Sequence, residues 1–344
     1  MPVFAVATLL PLPLIAAAAL VGGIWVLLAL AYVTLMSVAL DELVAWTLPT
    51  APERSEFPAA DALSAALAMG HLGLMGLTVW ALAGPGLSGL EKAGLFMAVG
   101  IFAGQVGNSN AHELIHRPAR LLRRLGTLVY VSHYFGHHAS AHPLVHHVHV
   151  ATAKDPNSPR PGESFYRFAP RAWIGSFREG LRAETARRRR SCKPVWRHPY
   201  LSYTGGAALV LAAAFALGGP AGMLWSIALG TFATSQLLMS DYVQHYGLTR
   251  TTRPDGRTEP VSDRHSWNAP HWFTSALILN APRHSDHHTH PGRPYPALRL
   301  PEDAPLLPRS LPVMACLALS PRRWRRVMDP RAARWRTAPS LAGE

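Results

Sequence analysis

Three stretches of this chain carry no Asp, Glu, Lys or Arg: residues 1–40, 62–90 and 201–240. A helix needs about 20 mostly apolar residues to cross the hydrocarbon of a bilayer. The first and third stretches are each long enough for two crossings. Each is also interrupted where a hairpin would turn, by Gly22-Gly23 in one and by "GGPAG" from Gly218 to Gly222 in the other. The second stretch supplies one span, and the run from Ala93 to Ala111 one more. The pattern predicts six spans, near 3–21, 24–43, 62–84, 93–115, 202–218 and 221–243. A soluble helical protein would not keep 40 successive positions free of charge. The opening "MPVFAVATLL" lacks a basic region, so it reads as a retained span rather than a cleaved signal.

The polar remainder sharpens this into a topology. The chain is 49% hydrophobic and 15% charged, with a formal net charge of +13. Its basic residues cluster in "RPARLLRR" (117–124), "RAETARRRRSCKPVWR" (182–197) and "PRRWRRVMDPRAARWR" (321–336), each beside an apolar run. Excess Lys and Arg at span ends mark the cytoplasmic side. Both termini and the long segment between spans 4 and 5 are then expected in the cytoplasm. This divides the chain into spans 1–4 (1–116), a cytoplasmic segment (117–200), spans 5–6 (201–247) and a cytoplasmic tail (248–344). The expected fold class is an all-α membrane protein with a cytoplasmic histidine-rich region. Basic clusters beside spans fit anionic lipid or an acidic protein partner, and no nucleic-acid partner is expected.

Cysteine use excludes several chemistries. Cys192 and Cys316 are far apart, too few for a four-cysteine zinc site or an iron–sulfur cluster. No glycine-rich phosphate loop is present either. Electrons for any redox chemistry must come from another molecule.

Histidine is where the chemistry concentrates. Of 18 histidines, all but His71 lie from His112 to His290. "HELIHR" places His112 and His116 at i and i+4, one face of a helix, as helical metal sites require. Its HExxH spacing is also that of zinc proteases. Two H-x-x-x-H-H patterns follow, "HYFGHH" (His133, His137, His138) and "HPLVHH" (His142, His146, His147), and periodicity does not choose between them. His245 stands alone in "DYVQHYGL", and "RHSDHHTHP" carries His284, His287 and His288. His71, in the middle of an apolar span, reads as a helix–helix hydrogen bond. His198 reads as an interface residue, and His149, His265, His271 and His290 as surface or supporting groups. Grouped imidazoles at one membrane boundary are expensive and point to function. An all-nitrogen ligand set suits Zn, Fe, Cu or Ni.

Taken together, these motifs resemble the integral-membrane di-iron alkane 1-monooxygenases, within the wider fatty-acid desaturase and hydroxylase superfamily. "HELIHR" looks like the first histidine box of that family. "HPLVHHVHVATAKDPNSPRPGESFY" looks like the second, with its VATxxDP…GE continuation. "DYVQHYGL" is similar to the HYG motif, and "HSWN" followed by "RHSDHHTHP" to the third box. The C-terminal "PRRWRRVMDPR" is similar to the family's basic tail. Aromatic-methyl monooxygenases of the xylene type share much of this pattern.

The resemblance implies two iron ions, with O₂ as co-substrate. It implies the ligands His112, His116, His142, His146, His147, His245, His284, His287 and His288. It leaves Asp155, Asp241, Asp286, His138 and His149 as supporting candidates, with His133 and His137 structural. One position departs from the family: Ala141 stands where relatives commonly carry an acidic residue before the second-box histidine. The implied reaction converts the terminal C–H of an apolar substrate, an n-alkane, to a primary alcohol. Electrons would come from rubredoxin or a ferredoxin with its NAD(P)H-dependent reductase. An embedded enzyme in the bacterial inner membrane suits a substrate that partitions into lipid. Trp25, Trp46 and Trp80 are candidate channel residues, and the arginine runs at 117–124 and 187–190 candidate docking surfaces. A desaturase would normally show different box spacing and no HYG motif. A metal transporter would carry ionisable residues within several spans, whereas these spans are nearly bare.

Overall fold

The structure, a computed structural model, describes residues 1–52 and 55–337. It is helical throughout; among the described residues the only β pairing is two isolated bridges. The order is α1 (Pro2–Val21), α2 (Ile24–Leu43), α3 (Pro58–Ala83), α4 (Gly89–Phe102), α5 (Asn108–Ile115) and α6 (Arg120–Ser132). Then come α7 (Phe165–Arg190), α8 (Pro199–His245), α9 (Trp272–Leu277), α10 (His284–Thr289), α11 (Leu311–Ala318) and α12 (Pro321–Thr337). Single π turns at Ala103–Gly107, between α4 and α5, and at His142–His146 interrupt the α geometry near the histidines.

Four helices, α1, α2, α3 and α8, are long and apolar enough to cross a membrane, the architecture of an integral membrane protein. Large apolar side chains such as Leu20, Leu35, Met69 and Leu209 are exposed on their outer faces, which in water would be a liability and in lipid is the rule.

Both glycine breaks turn the chain as the pattern predicts. Gly22 and Gly23 adopt φ of 71° and 56° between α1 and α2, a region closed to most side chains. α8 runs 47 residues from Pro199 to His245, but Gly218 and Gly219 leave helical geometry inside it. A Cβ on Gly222 would collide with the Ala214 carbonyl; a straight helix would hold those residues about 12 Å apart. α8 is therefore a hairpin of two legs. The π turn joins α4 and α5 into one helical path over the predicted fourth span, from Gly89 to Ile115.

The turns gather at one end of the bundle. Glu91, in the first turn of α4, accepts the Gly23 N–H at 2.6 Å while forming a capping box with Ser88. Gly218 packs onto Ala83, at the end of α3. The histidine motifs lie at the opposite helix ends, where α5 and the second leg of α8 finish. α8 packs most extensively on α3, and α5 on α6. Gly126 of α6 makes the latter approach close, since a Cβ there would lie 2.8 Å from the Ala111 carbonyl oxygen.

Candidate metal centre

Each histidine motif is delivered by a helix, and local backbone geometry decides which rings meet. On α5, His112 and His116 share a face, with ring centroids 5.2 Å apart, as i,i+4 spacing dictates. The second motif behaves differently. Across His142–His146 the chain forms a π turn, and the His147 N–H bonds to the His142 carbonyl. This wider turn stacks i on i+5, so His142 and His147 meet, Nε2 to Nε2, at 2.9 Å. His146 is left pointing elsewhere. On α10, His284 and His288 pair through Nε2 at 3.1 Å, while His287 turns to His147 at 3.1 Å. His245, the last residue of α8, reaches His284 at 3.0 Å.

The structure thus brings the nine histidines into two groups. One contains His112, His116, His142, His147 and His287; the other His146, His245, His284 and His288, with the ligand atoms of each group within 4.8 Å of one another. Successive residues on a helix are rotated by about 100°, so the dyads His146-His147 and His287-His288 each send one ring to either group. The two groups are neighbours for that reason: the His146 and His147 ring centroids are 6.1 Å apart.

The donor chemistry fits a cation in each group. Facing Nε2 atoms, at 2.7 Å between His112 and His142 and 2.9–3.1 Å elsewhere, can share one proton per pair but cannot all be satisfied around one point. His116 Nε2 and His146 Nε2 are buried with no partner, a cost that a bound ion removes. Burial holds the imidazoles of His142, His147, His284, His287 and His288 well below the usual range, and brings His116 down to about 4. They are neutral, the form that binds metal.

Supporting groups fix two of the rings. Burial pushes His146 down, but the adjacent Asp155 carboxylate outweighs it and raises the imidazole. Asp155 Oδ2 lies 2.8 Å from His146 Nδ1 and accepts from Ser158 Oγ at 2.7 Å. Asn157 then donates to Asp241 at 2.6 Å. His245 Nδ1 faces the His265 carbonyl at 3.3 Å, which leaves Nε2 free to point at His284. His265 thus takes part through its backbone.

The remaining sequence candidates sit outside this centre. Asp286 pairs with Arg293 and accepts from the Arg299 backbone at 2.8 Å, and His149 lies half-buried at the surface side. His133 bonds Asn108 Oδ1 at 3.0 Å, and His137 bonds Ser176 at 3.1 Å. His138 packs on Tyr130 and Phe135, with its ring 4.9 Å from that of His142. Ala141 lies against α7, so closely that a Cβ on Gly180 would come within 2.8 Å of it. Glu113 of "HELIH" faces away from the histidines; it pairs with Arg117 at 2.8 Å and accepts from the Tyr295 backbone at 3.1 Å, so the zinc-protease reading of that motif fails.

A cavity of about 120 Å³ opens onto His112, His142 and His284. Leu237, Ile278 and Leu311 line it together with polar residues, including Gln105 and Asp241. Trp25, Trp46 and Trp80 are not among its walls; they are 38%, 48% and 50% exposed. A tryptophan in an apolar span looks the same from the sequence whether it faces lipid or core. The sequence reading also missed the π turns. Pro143 was the available signal, because it lacks an N–H and crowds the preceding turn. Nothing in the pattern marked Gln105 or Gln236 as cavity residues.

Comparison with known proteins shows the family. The fatty acid desaturase family model matches residues 92–316, from α4 into α11 and across all the histidine motifs. The chain is 36% identical to alkane 1-monooxygenase 1 of Pseudomonas aeruginosa over 265 residues, covering 75% of this chain and 69% of that protein. It is 35% identical to alkane 1-monooxygenase of Acinetobacter baylyi over 244 residues, covering 70% and 60%. The hydroxylase component of a Pseudomonas putida xylene/toluene monooxygenase is 28% identical over 258 residues, covering 74% and 68%. The chain spans about two thirds of the length of the curated relatives it matches. With its histidine groups assembled and its relatives of this kind, the chain belongs to the alkane 1-monooxygenase family of the fatty acid desaturase superfamily.

Proposed function

We propose that this protein is a membrane-bound di-iron monooxygenase that converts an n-alkane to its 1-alkanol. The observation that carries the reading is the convergence of nine imidazoles into two adjacent groups beside a cavity. In this reading His112, His116, His142, His147 and His287 hold one iron, and His146, His245, His284 and His288 the other. The irons, when bound and reduced, supply O₂ activation, with one oxygen atom going to the substrate and one to water at the expense of two electrons and two protons.

The chain's own residues do the rest. Asp155 and the His265 carbonyl orient the His146 and His245 rings, so that the correct nitrogen faces inward. Leu237, Ile278 and Leu311 place an apolar substrate beside the histidines and exclude bulk water. An alkane offers no polar handle, so shape alone aligns it.

The same reading places six spans in the bacterial inner membrane, with the histidine end and both termini cytoplasmic. Rubredoxin or a ferredoxin, with its NAD(P)H-dependent reductase, delivers the electrons. The arginine runs at 117–124 and 187–190 are the docking surfaces. The xylene/toluene relative makes aromatic methyl groups the second substrate class to test.

The test is metal analysis of the detergent-purified protein, paired with octane hydroxylation in the presence of rubredoxin, its reductase and NADH. The expected result is two irons per chain and 1-octanol. Product from xylene alone would move the substrate to aromatic methyl groups. Stoichiometric zinc, with no oxygen consumption after iron reconstitution, would overturn the oxygenase reading.

A further inference from the structure

The cavity beside the histidines has an end that apolar shape does not explain. Its walls follow two helical stripes, Gln105, Ser109 and His112 on the path through α5, and Gln236, Ser240 and Gln244 on α8. Both helices finish at the histidines, so both stripes run from the interior of the bundle toward them. Seven helical residues separate Gln105 from His112, a rise of about 10 Å. The far end of the cavity is therefore formed by Gln105 and Gln236.

Gln236 is seated there specifically. Its Nε2 donates to the Gly100 carbonyl at 2.7 Å. Its amide fills the space a side chain on Gly104 would need, since a Cβ there would collide with it. Gln105 is different: its Oε1 is buried and has no hydrogen-bond partner. The end of the cavity remote from the histidines thus carries two amides, one of them with an unmet acceptor. A purely hydrocarbon ligand leaves that acceptor unpaired; a ligand with a hydroxyl at its remote end satisfies it.

We propose that Gln105, backed by Gln236, forms a polar end wall that recognises a hydrogen-bond donor at the end of the ligand remote from the carbon to be oxidised. The ligand class this end favours is medium-chain primary alcohols, whose hydroxyl satisfies the acceptor that an alkane of equal length leaves unpaired. This rests on reading the cavity as the substrate site. Gln105 is a positioning residue: it acts on which end of a molecule enters first and on selectivity.

The experiment is equilibrium binding of isotopically labelled 1-octanol and octane to the full chain in lipid nanodiscs, with empty nanodiscs subtracting partition into lipid. The readout is the ratio of the two affinities for the wild type, Gln105→Met and Gln236→Met. Methionine nearly preserves side-chain volume, and a ratio is insensitive to a uniform loss of folded protein. We expect the wild type to favour 1-octanol by about tenfold, the worth of one buried hydrogen bond. Gln105→Met is expected to bring the ratio near unity, with Gln236→Met falling between. A wild-type ratio near unity, or one unchanged in Gln105→Met, would overturn the proposal. Binding does not depend on turnover, so a selective end wall in a protein that fails to hydroxylate would sink the proposed function and leave this inference standing. Octane hydroxylation without end selectivity would do the reverse.

Discussion

Two segments nine residues apart carry the same pattern, H-x-x-x-H-H, and meet opposite fates. In "HYFGHH" the chain leaves α6 through Tyr134 at φ 59°, and its three rings scatter. His133 goes to Asn108, His137 to Ser176 and His138 to an aromatic niche. In "HPLVHH" a π turn gathers His142 and His147 on one point and turns His146 to the other. Identical spacing with different backbone geometry gives scaffold in one case and a candidate metal site in the other. Spacing names the residues that can meet, and the turn type decides which do.

The largest expected effect separates the two copies directly. His142→Ala is expected to lose iron from the five-histidine group and to lower hydroxylation by about a hundredfold or more. His133→Ala should keep both irons and cost about 1–3 kcal/mol of stability for its buried hydrogen bond. Metal analysis beside thermal unfolding of both variants checks this; equal iron loss in the two would dissolve the distinction.

Next in size is Asp155→Asn. This substitution keeps the shape but removes the carboxylate facing His146 Nδ1. Supporting groups of this kind are worth about 10–100-fold in metal affinity, and a competition titration against a chelator reads it. An unchanged affinity would mean that Asp155 serves the loop around Ser158 rather than the histidine.

Acidity gives a smaller, graded effect. In the metal-free protein burial holds His142, His147, His287 and His288 below their ordinary value of 6.5, and His116 near 4. The unfolded chain binds protons at these positions that the folded chain refuses. Stability is therefore fully present above about 6.5 and falls as pH drops toward 4. The melting temperature of iron-stripped protein should decline over that window, and a flat profile would mean the rings are hydrated rather than buried. The least effect belongs to His137→Ala, about 1 kcal/mol with no change in metal content, read by the same melt.

Much of the site was legible because its chemistry is written in residue types. The resemblance carried by the second box selected His142, His146 and His147 over the preceding copy, and the structure brings those three to the centre. Their division between the two groups was not legible, because helical periodicity pairs 142 with 146 and only the π turn pairs 142 with 147. The cavity walls were also hidden. Gln105 and Gln236 are single polar residues on apolar helices, with no local mark of the face they occupy, and Trp25, Trp46 and Trp80 give the same ambiguity in reverse.

What the sequence determined by itself was the set of long apolar helices, their glycine turns and the clustering of the histidines. Hydrophobic length, glycine's access to positive φ and the clustering of imidazole are local properties of consecutive residues. The tertiary structure alone decided which rings share a centre, that Glu113 turns away to Arg117, and that Gln105 and Gln236 line the cavity. Those outcomes depend on which faces of α5, α8 and α10 point at one another. That relation holds between residues from separate segments of the chain, set by packing rather than by any pattern along it.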